Sequence, residues 1–394
     1  MSNKIACVVD IGSGKISAII GERGLSETFL IHGSSDVEYS GYMNGKFLNE
    51  EELSEVIRDA IFKAQNNCGL NVDSVFVGVP AEFTYCKTIS QELSLEKNRK
   101  ISKEHIDKLH SLCKEQMDYS NHTFVNISPI CYHLNDSKKC IDPIGEIANK
   151  IKGTFGVIVA ENSFFEIINK ALSDMGITKV EYISSALAEA LYLLDPETRD
   201  SGAILIDVGF ISSSVAIVKG EALVHLCSFS MGGGHITGDL CQCLEITYED
   251  AEKLKRKAVI NHEADESDRY DISQNGGETP ISVSAQLTNN IILARIEAIS
   301  TLISKCLKAY TPENQNYLPM FLTGGGLCYL RGGKDALSKQ LDSNIEMLAP
   351  KIPQMNRPHY SSSLGLLDVA LQNKKEESIF KNIKKKLVNL WGKK

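Results

Sequence analysis

What this 394-residue chain lacks closes off several classes of protein. It has no Cys-x-x-Cys pair and no Cys/His grouping at zinc-ligand spacing; its 11 cysteines are scattered singly apart from Cys241 and Cys243. A zinc module and, without a secretory leader, a disulfide framework are therefore not expected. No apolar run is clean enough for a leader or a span. The N-terminal run is broken by Asp10 and Gly12, and the stretch Ala203–Val218 contains Asp207 and several serines, so both read as strands. A basic surplus is missing as well: the formal charge is -8, which argues against general nucleic-acid binding. No Ser/His/Asp arrangement, paired-carboxylate hydrolase site or metal cluster stands out. A cytoplasmic compartment is the expectation.

What is present is ordinary in bulk and uneven in detail. Hydrophobic residues make up 43% and charged residues 23%, values of a folded chain long enough for two or more domains. The charge is lopsided: residues 374–394 carry eight Lys and two Glu, leaving residues 1–373 at -14. A tail of opposite sign points to a partner of its own.

Ile5–Val9 is a β-branched run leading into Asp10-Ile11-Gly12-Ser13-Gly14-Lys15, and Ile16–Gly21 resumes it, the pattern of a hairpin. The unit recurs 197 residues later: Gly202–Ile206, Asp207-Val208-Gly209, then Val215–Val218. Between the copies, helical periodicity marks Glu50–Asn67, Lys103–Met117, Phe164–Met175 and Ser185–Leu194, with a strand at Ser74–Val79. The more polar stretch 83–160 looks like an inserted α+β unit. Beyond the second copy come a helix at Tyr248–Ala258, a polar loop over 261–279, a long helix at Leu287–Ala309, and the strand Met320–Leu322 running into Thr323-Gly324-Gly325-Gly326.

A lone Asp-x-Gly turn closes many ordinary hairpins; two copies and a glycine floor together say more. Small residues at Gly12, Ser13 and Gly14 let backbone N–H groups approach a phosphate, and Lys15 adds a point charge. The second loop, with Asp207, Gly209 and Ser212, faces it from another domain. Gly324, Gly325 and Gly326 leave a flat backbone surface for an adenosine. Asp10 and Asp207 occupy matching turn positions; opposed acids beside phosphates suit Mg²⁺ held through water, though each alone reads equally well as a turn-capping Asp. Gly232, Gly233 and Gly234 are further candidate nucleotide-binding residues, and His235 after them sits near nucleotide or makes an ordinary turn hydrogen bond.

These motifs resemble those of the actin, chaperone-ATPase and sugar-kinase superfamily: Asp10–Lys15 its first phosphate loop, Asp207–Ser212 its second, Leu322–Gly326 its adenosine motif. Within it, VDIGSGKISAIIGE (9–22), FSMGGGHIT (229–237), AEKLK (251–255) and SSSLGLLDVAL (361–371) resemble the bacterial cell-division FtsA family. The resemblance covers roughly residues 4–371. It implies an actin-like α/β fold of duplicated ribonuclease-H-like domains around a nucleotide cleft: 1–82 completed by 161–198 and 341–371, an FtsA-type insert at 83–160, 199–227 completed by 318–340, 228–317, and a linker at 372–377. It also implies that Glu252 and Lys255 reach the ribose and adenine. From the residues alone they are a solvated i,i+3 ion pair. The implied ligands are ATP and Mg²⁺. The implied partners are FtsZ, a second copy in a head-to-tail filament, an anionic membrane surface and downstream division proteins. Two departures stand out. Phe210 and Ile211 replace glycines of the second loop, and bulky side chains keep backbone away from a phosphate. Ser185 stands where relatives often carry an acid or amide, with Glu189 a turn later as a substitute or a surface acid. Asp207 and Glu189 are the catalytic candidates, and weak ATP hydrolysis at most is expected.

The tail reads independently of any resemblance. At 100° per residue, Ile379, Phe380, Ile383, Leu387, Leu390 and Trp391 fall within about 120° of arc. Lys384 and Lys386 flank that stripe, where their stems can snorkel. No acid occurs among residues 378–394, and the chain's one Trp sits on the stripe. That is the pattern of a helix lying on an anionic membrane; a helix docked on the protein's own core is the plainer alternative. The expected function is an actin-like, ATP-binding protein that polymerises on the cytoplasmic face of the membrane and tethers FtsZ filaments at the septum. A pilus-assembly relative is the alternative, and a metabolic kinase of the same fold would need a catalytic Asp that is not found.

Overall fold

A computed structural model describes residues 4–374 apart from 25–27, 40, 44, 136–137, 274–280 and 311–317. The tail positions 378–394 and residues 375–377 of the linker lie outside the described residues.

Both Asp-x-Gly units are hairpins, and each nucleates a sheet of the same design. Ile5–Ile11 pairs antiparallel with Lys15–Arg23 and parallel with Ser74–Val79. Ala203–Val208 pairs antiparallel with Ser213–Lys219 and parallel with Met320–Thr323. Phe29–Glu38 and Lys179–Ser184 extend the first sheet to five strands; Ala222–Phe229 and Ile345–Met347 extend the second in the matching order. The central strands are apolar on both faces because helices cover both sides. Leu53, Ile57, Ala60, Ile61 and Ala64 of the helix Glu50–Cys68 bury one face of the first sheet, together with Phe164, Phe165 and Ile168 of the helix Asn162–Ser173. The opposite face, through Val8, Ile19 and Phe76, takes Leu364, Leu366 and Leu367 from the helical residues 361–374. Ile292, Ile296, Ile299 and Ile303, one stripe of the helix Ala285–Ala309, pack on the second sheet.

Residues 84–161 form a separate four-stranded antiparallel sheet with the helix Lys103–Lys114 on it. That sheet abuts the second domain closely. Glu221 N donates to Pro129 O at 3.0 Å, Cys86 Sγ donates to Leu223 O at 3.7 Å, and a Cβ on Gly156 would come 2.4 Å from Leu223 O. The helix Ser185–Leu193 lies at the junction: Ala186, Leu187 and Ala190 meet Leu205 and Ala216 of the second sheet. Its small residues allow the two halves to approach.

Three details differ from the sequence reading. Arg269–Ile272 within the stretch read as a polar loop pairs with Ile281–Ser284, because Tyr270 and Ile272 find apolar neighbours there. Cys227 and Cys306 are paired as a disulfide, their Cα atoms 5.7 Å apart, where none was expected; the strand Ala222–Phe229 and the long helix bring them together from 79 residues apart. The helix read as Phe164–Met175 begins at Asn162 and ends at Ser173. No helix among the described residues is long and apolar enough to cross a membrane.

Candidate nucleotide-binding site

Between the two sheets lies a cavity of about 1180 Å³, large enough to bury a nucleotide-sized molecule. Its middle is built by the two turns, which are copies of one another in hydrogen bonding. Gly12 N donates to Lys15 O and Gly209 N donates to Ser212 O, both at 3.0 Å. A Cβ on Gly12 or Gly209 would sit within 3 Å of that same carbonyl, so the tight turn itself demands glycine. Asp10, Gly12, Ser13, Gly14 and Lys15 line the cavity from the first turn, and Asp207, Gly209, Phe210 and Ser212 from the second.

The loops touch. Ser13 Oγ accepts from Ile211 N at 3.0 Å and from Ser212 N at 3.2 Å, so Ser13 holds the amides that the second loop would offer an anion. Phe210 does not block the cleft from within. Its ring lies over Gly14 and Gly234, where an added Cβ would come within about 3 Å of it. The glycines at 232–234 also brace the second loop. Gly233 N and Gly234 N donate to Gly209 O and Phe210 O at 2.9 and 2.7 Å, seating the start of the helix Gly233–Leu244 under the second loop; of the three, Gly233 lines the cavity. His235 accepts from Gly232 N through Nδ1 at 3.1 Å, the ordinary turn role.

Lys15 is already paired. Its Nζ donates to Asp36 Oδ2 at 2.8 Å, Ser17 Oγ donates to Asp36 Oδ1 at 2.6 Å, and the ammonium stands 4.7 Å from the centre of the Tyr360 ring. Burial pulls the Asp36 carboxyl upward, but Lys15 and Ser17 bring it below its ordinary range. Lys15 is thus a half-buried ion pair that an incoming phosphate must compete for.

Two acids face each other on the cleft floor. Asp10 Oδ1 accepts from Ser362 Oγ at 2.9 Å, yet burial pushes its carboxyl up to about 6. Asp207 is pushed up to about 7, first by burial and then by the charges of Asp10 and Glu82. Glu189 is not a surface acid: it is 3% exposed, and burial followed by Asp207 and Asp10 holds it well above the carboxylate range. Buried acids that destabilise one another in this way are what a hydrated divalent cation relieves, so Asp10 and Asp207 fit Mg²⁺ bound through water. Among the described residues no cluster of three or more His, Cys, Asp or Glu is placed to hold a metal directly.

The far end is lined by Gly324, Gly325 and Gly326, with Tyr329, Pro358 and His359 beside them. Gly324 has φ +88°, and a Cβ there would lie 2.0 Å from Asp207 Oδ1; only glycine turns the chain here. Tyr329 Oη hydrogen-bonds His359 Nδ1, and burial, then Lys15, push His359 down to about 4, leaving a neutral imidazole. Glu252 and Lys255 are paired at 2.6 Å and line the cavity, but Lys255 is 7% exposed and is no solvated pair. Its Nζ also donates to Gly233 O at 3.0 Å and Thr237 Oγ1 at 2.8 Å. Burial lowers Lys255, and Glu252 is held below its usual range by Lys255 and its other donors against the pull of burial.

Two mixed sheets of the same order clasping a cleft floored by matched Asp-x-Gly turns are the actin-like fold. The profile of the family described as "Cell division protein FtsA" matches residues 204–365. Proteins so named are similar over nearly the whole chain. That of Staphylococcus epidermidis is 25% identical over 366 residues, 92% of this chain and 78% of its own. That of Bacillus subtilis is 22% identical, covering 94% and 84%. The chain is similar to FtsA proteins over nearly its whole length. Solved structures agree on the fold. It superposes on a chain of the PilM–PilN type IV pilus biogenesis complex with a TM-score of 0.63 at 15% identity, covering 93% of this chain and 98% of that one. It superposes on MreB5 of Spiroplasma citri bound to AMPPNP with a TM-score of 0.55 at 12% identity, covering 98% and 99%.

Asp36, Glu82, Tyr329, His359 and Ser362 were missed by sequence reasoning. Only Ser362 sits in a quoted motif, SSSLGLLDVAL (361–371), and nothing there signals that it reaches Asp10 across 352 residues of chain. The one signal available was position, since Glu82 follows the end of the strand Ser74–Val79, where sheets of this type carry their sites.

Proposed function

We propose that this chain acts as an FtsA: it binds ATP in the cleft, assembles into filaments on the cytoplasmic face of the membrane, and tethers FtsZ filaments there at the septum. The observation that carries the reading is the pair of matched turns opposed across one cavity, with Asp10 and Asp207 at corresponding positions beside them. Gly12–Lys15 and Gly209–Ser212 hold the polyphosphate, Lys15 leaves Asp36 for a phosphate oxygen, and the glycines at 324–326 take the nucleoside with Glu252 and Lys255 at its edge. Magnesium supplies neutralisation of the phosphates and of Asp10 and Asp207. Ser13 bridges the loops before phosphate arrives, so nucleotide acts chiefly as a structural switch: its phosphates replace Ser13 as acceptor for the amides of Ile211 and Ser212.

Membrane attachment rests on the sequence of 378–394. Anionic lipid attracts roughly 1 kcal/mol per nearby Lys, and each buried large apolar side chain adds about 1.5–3 kcal/mol. One helix attaches reversibly, and a filament displaying many attaches firmly. The likeness to the PilM–PilN complex favours a second reading, a pilus-assembly adaptor. Sedimenting FtsZ of the same organism with anionic liposomes separates the two. FtsZ should pellet only when this chain is present; failure to pellet, alongside capture of a PilN-type protein, would establish the second reading.

A further inference from the structure

The cleft does not stop at the phosphate loops. Past them, away from the glycine floor, it runs on into a recess lined by Tyr39, Tyr42, Glu52, Ala81 and Glu82. Glu82 sits in the single turn Ala81–Phe83 that follows the strand Ser74–Val79. Its carboxylate engages Ser212, the last residue of the second phosphate loop, and its charge is felt by Asp207. With a nucleoside on the glycines at 324–326, as proposed above, Glu82 stands at the end of the cleft toward which the terminal phosphate would point.

The surroundings fix it there. Phe83 stacks on Phe47 with centroids 5.2 Å apart, and Tyr42 is wedged edge-on against both, at 5.6 Å from Phe47 and 6.1 Å from Phe83. The short hairpin of Tyr42–Met43 and Lys46–Phe47 thereby clamps the tyrosine beside the acid; the carboxylate of Glu82 in turn raises the Tyr42 hydroxyl, after burial. Within this clamp Glu82 Oε1 and Tyr42 Oη make no hydrogen bond of good geometry, although the two side chains stand close enough to perturb one another directly. Buried polar groups are nearly always satisfied, and a water between a donor and an acceptor in a polar recess satisfies both. Glu189, the other candidate, has no such freedom. Burial, then the charges of Asp207 and Asp10, raise its carboxyl with nothing pulling it back; burial raises Glu82 as well, but Ser212, its own backbone and Tyr42 draw it down again.

We infer that Glu82, with Tyr42, holds the attacking water and is the general base for hydrolysis of the terminal phosphate of bound ATP. The water oxygen forms a bond to the γ-phosphorus as the bond from phosphorus to the β,γ-bridging oxygen breaks. That bonding pair leaves with ADP, and the proton of the water passes to the Glu82 carboxylate. The inference rests on the reading of the cleft as an ATP site, which is tested separately by binding.

Phosphate release in single turnover and ATP affinity by calorimetry should be measured on the full chain, as native protein and as Glu82→Gln, Glu82→Asp and Glu189→Gln variants. Native protein is expected to bind and slowly hydrolyse ATP. Glu82→Gln should bind with an affinity within about 2-fold, since it keeps the shape of the side chain, yet lose roughly 100-fold in rate, the usual contribution of a positioned base. Glu82→Asp should recover part of that loss with affinity unmoved, which a merely structural role would not produce. Hydrolysis by Glu82→Gln at the native rate overturns the assignment. So does a collapse confined to Glu189→Gln, or native protein that binds ATP and never cleaves it. Absence of binding by native protein instead refutes the ATP reading itself.

Discussion

Asp207→Asn should make the ligand-free protein more stable, and increasingly so as pH rises. The Asp207 carboxyl has an ordinary value of 3.8 and is pushed up to about 7 in the fold. A group raised in this way binds more protons folded than unfolded between those two values, so it costs stability progressively over that window and a constant amount above it. The full cost would be roughly 4 kcal/mol at 1.36 kcal/mol per pH unit. Asp10 shares the burden of charge on the floor, so about 2–4 kcal/mol is the working range. Asparagine fills the same space beside Gly324 and carries no charge. Scanning calorimetry of both proteins at pH 5 and pH 8, without nucleotide or divalent metal, isolates the effect, because every other titrating group cancels in the difference. At about 2–4 °C per kcal/mol for domains of this size, the variant should melt at least about 4 °C higher than the native protein at pH 8, and by less than half that margin at pH 5. Saturating ATP and Mg²⁺ should shrink or invert the gap at pH 8, since the cation stabilises the native acid. Equal margins at the two pH values would refute the argument that Asp207 is ionised at a cost.

Asp36→Asn releases Lys15 from its ion pair, and ATP should bind tighter by about 1.5–5-fold, matching roughly 0.2–1 kcal/mol for a partly exposed pair; calorimetry reads it, and weaker binding would mean that Asp36 instead orients Lys15 for the phosphate. Deleting residues 378–394 should abolish flotation with anionic liposomes, while the same protein on neutral liposomes should be little changed by the deletion. Continued flotation on anionic lipid would refute the anchor.

How far the chain could be read alone follows from the range of the interactions involved. The two hairpins were legible because a β-branched run, a short glycine-containing turn and a second apolar run are contiguous, and the backbone of Gly12 and Gly209 leaves no room for anything else. The helix Ala285–Ala309 was legible because its isoleucines recur on one stripe. Residues 261–279 were misread because Tyr270 and Ile272 are isolated apolar residues in polar surroundings, and what makes them a strand is a partner ten residues on and a core beneath. Cys227 and Cys306 gave no sign of meeting, since 79 residues separate them.

The sequence by itself determined the duplicated turns, the glycine floor and the amphipathic, basic pattern of the tail, because each is written in neighbouring residues whose spacing carries the physics. Only the tertiary structure decided which groups oppose one another in the cleft. It paired Lys15 with Asp36, gave the second-loop amides to Ser13, buried Glu189 beyond the reach of solvent, and put Glu82 next to Ser212 across the domain junction. Charge, burial and hydrogen-bond satisfaction depend on what stands across a gap, and no local pattern encodes that.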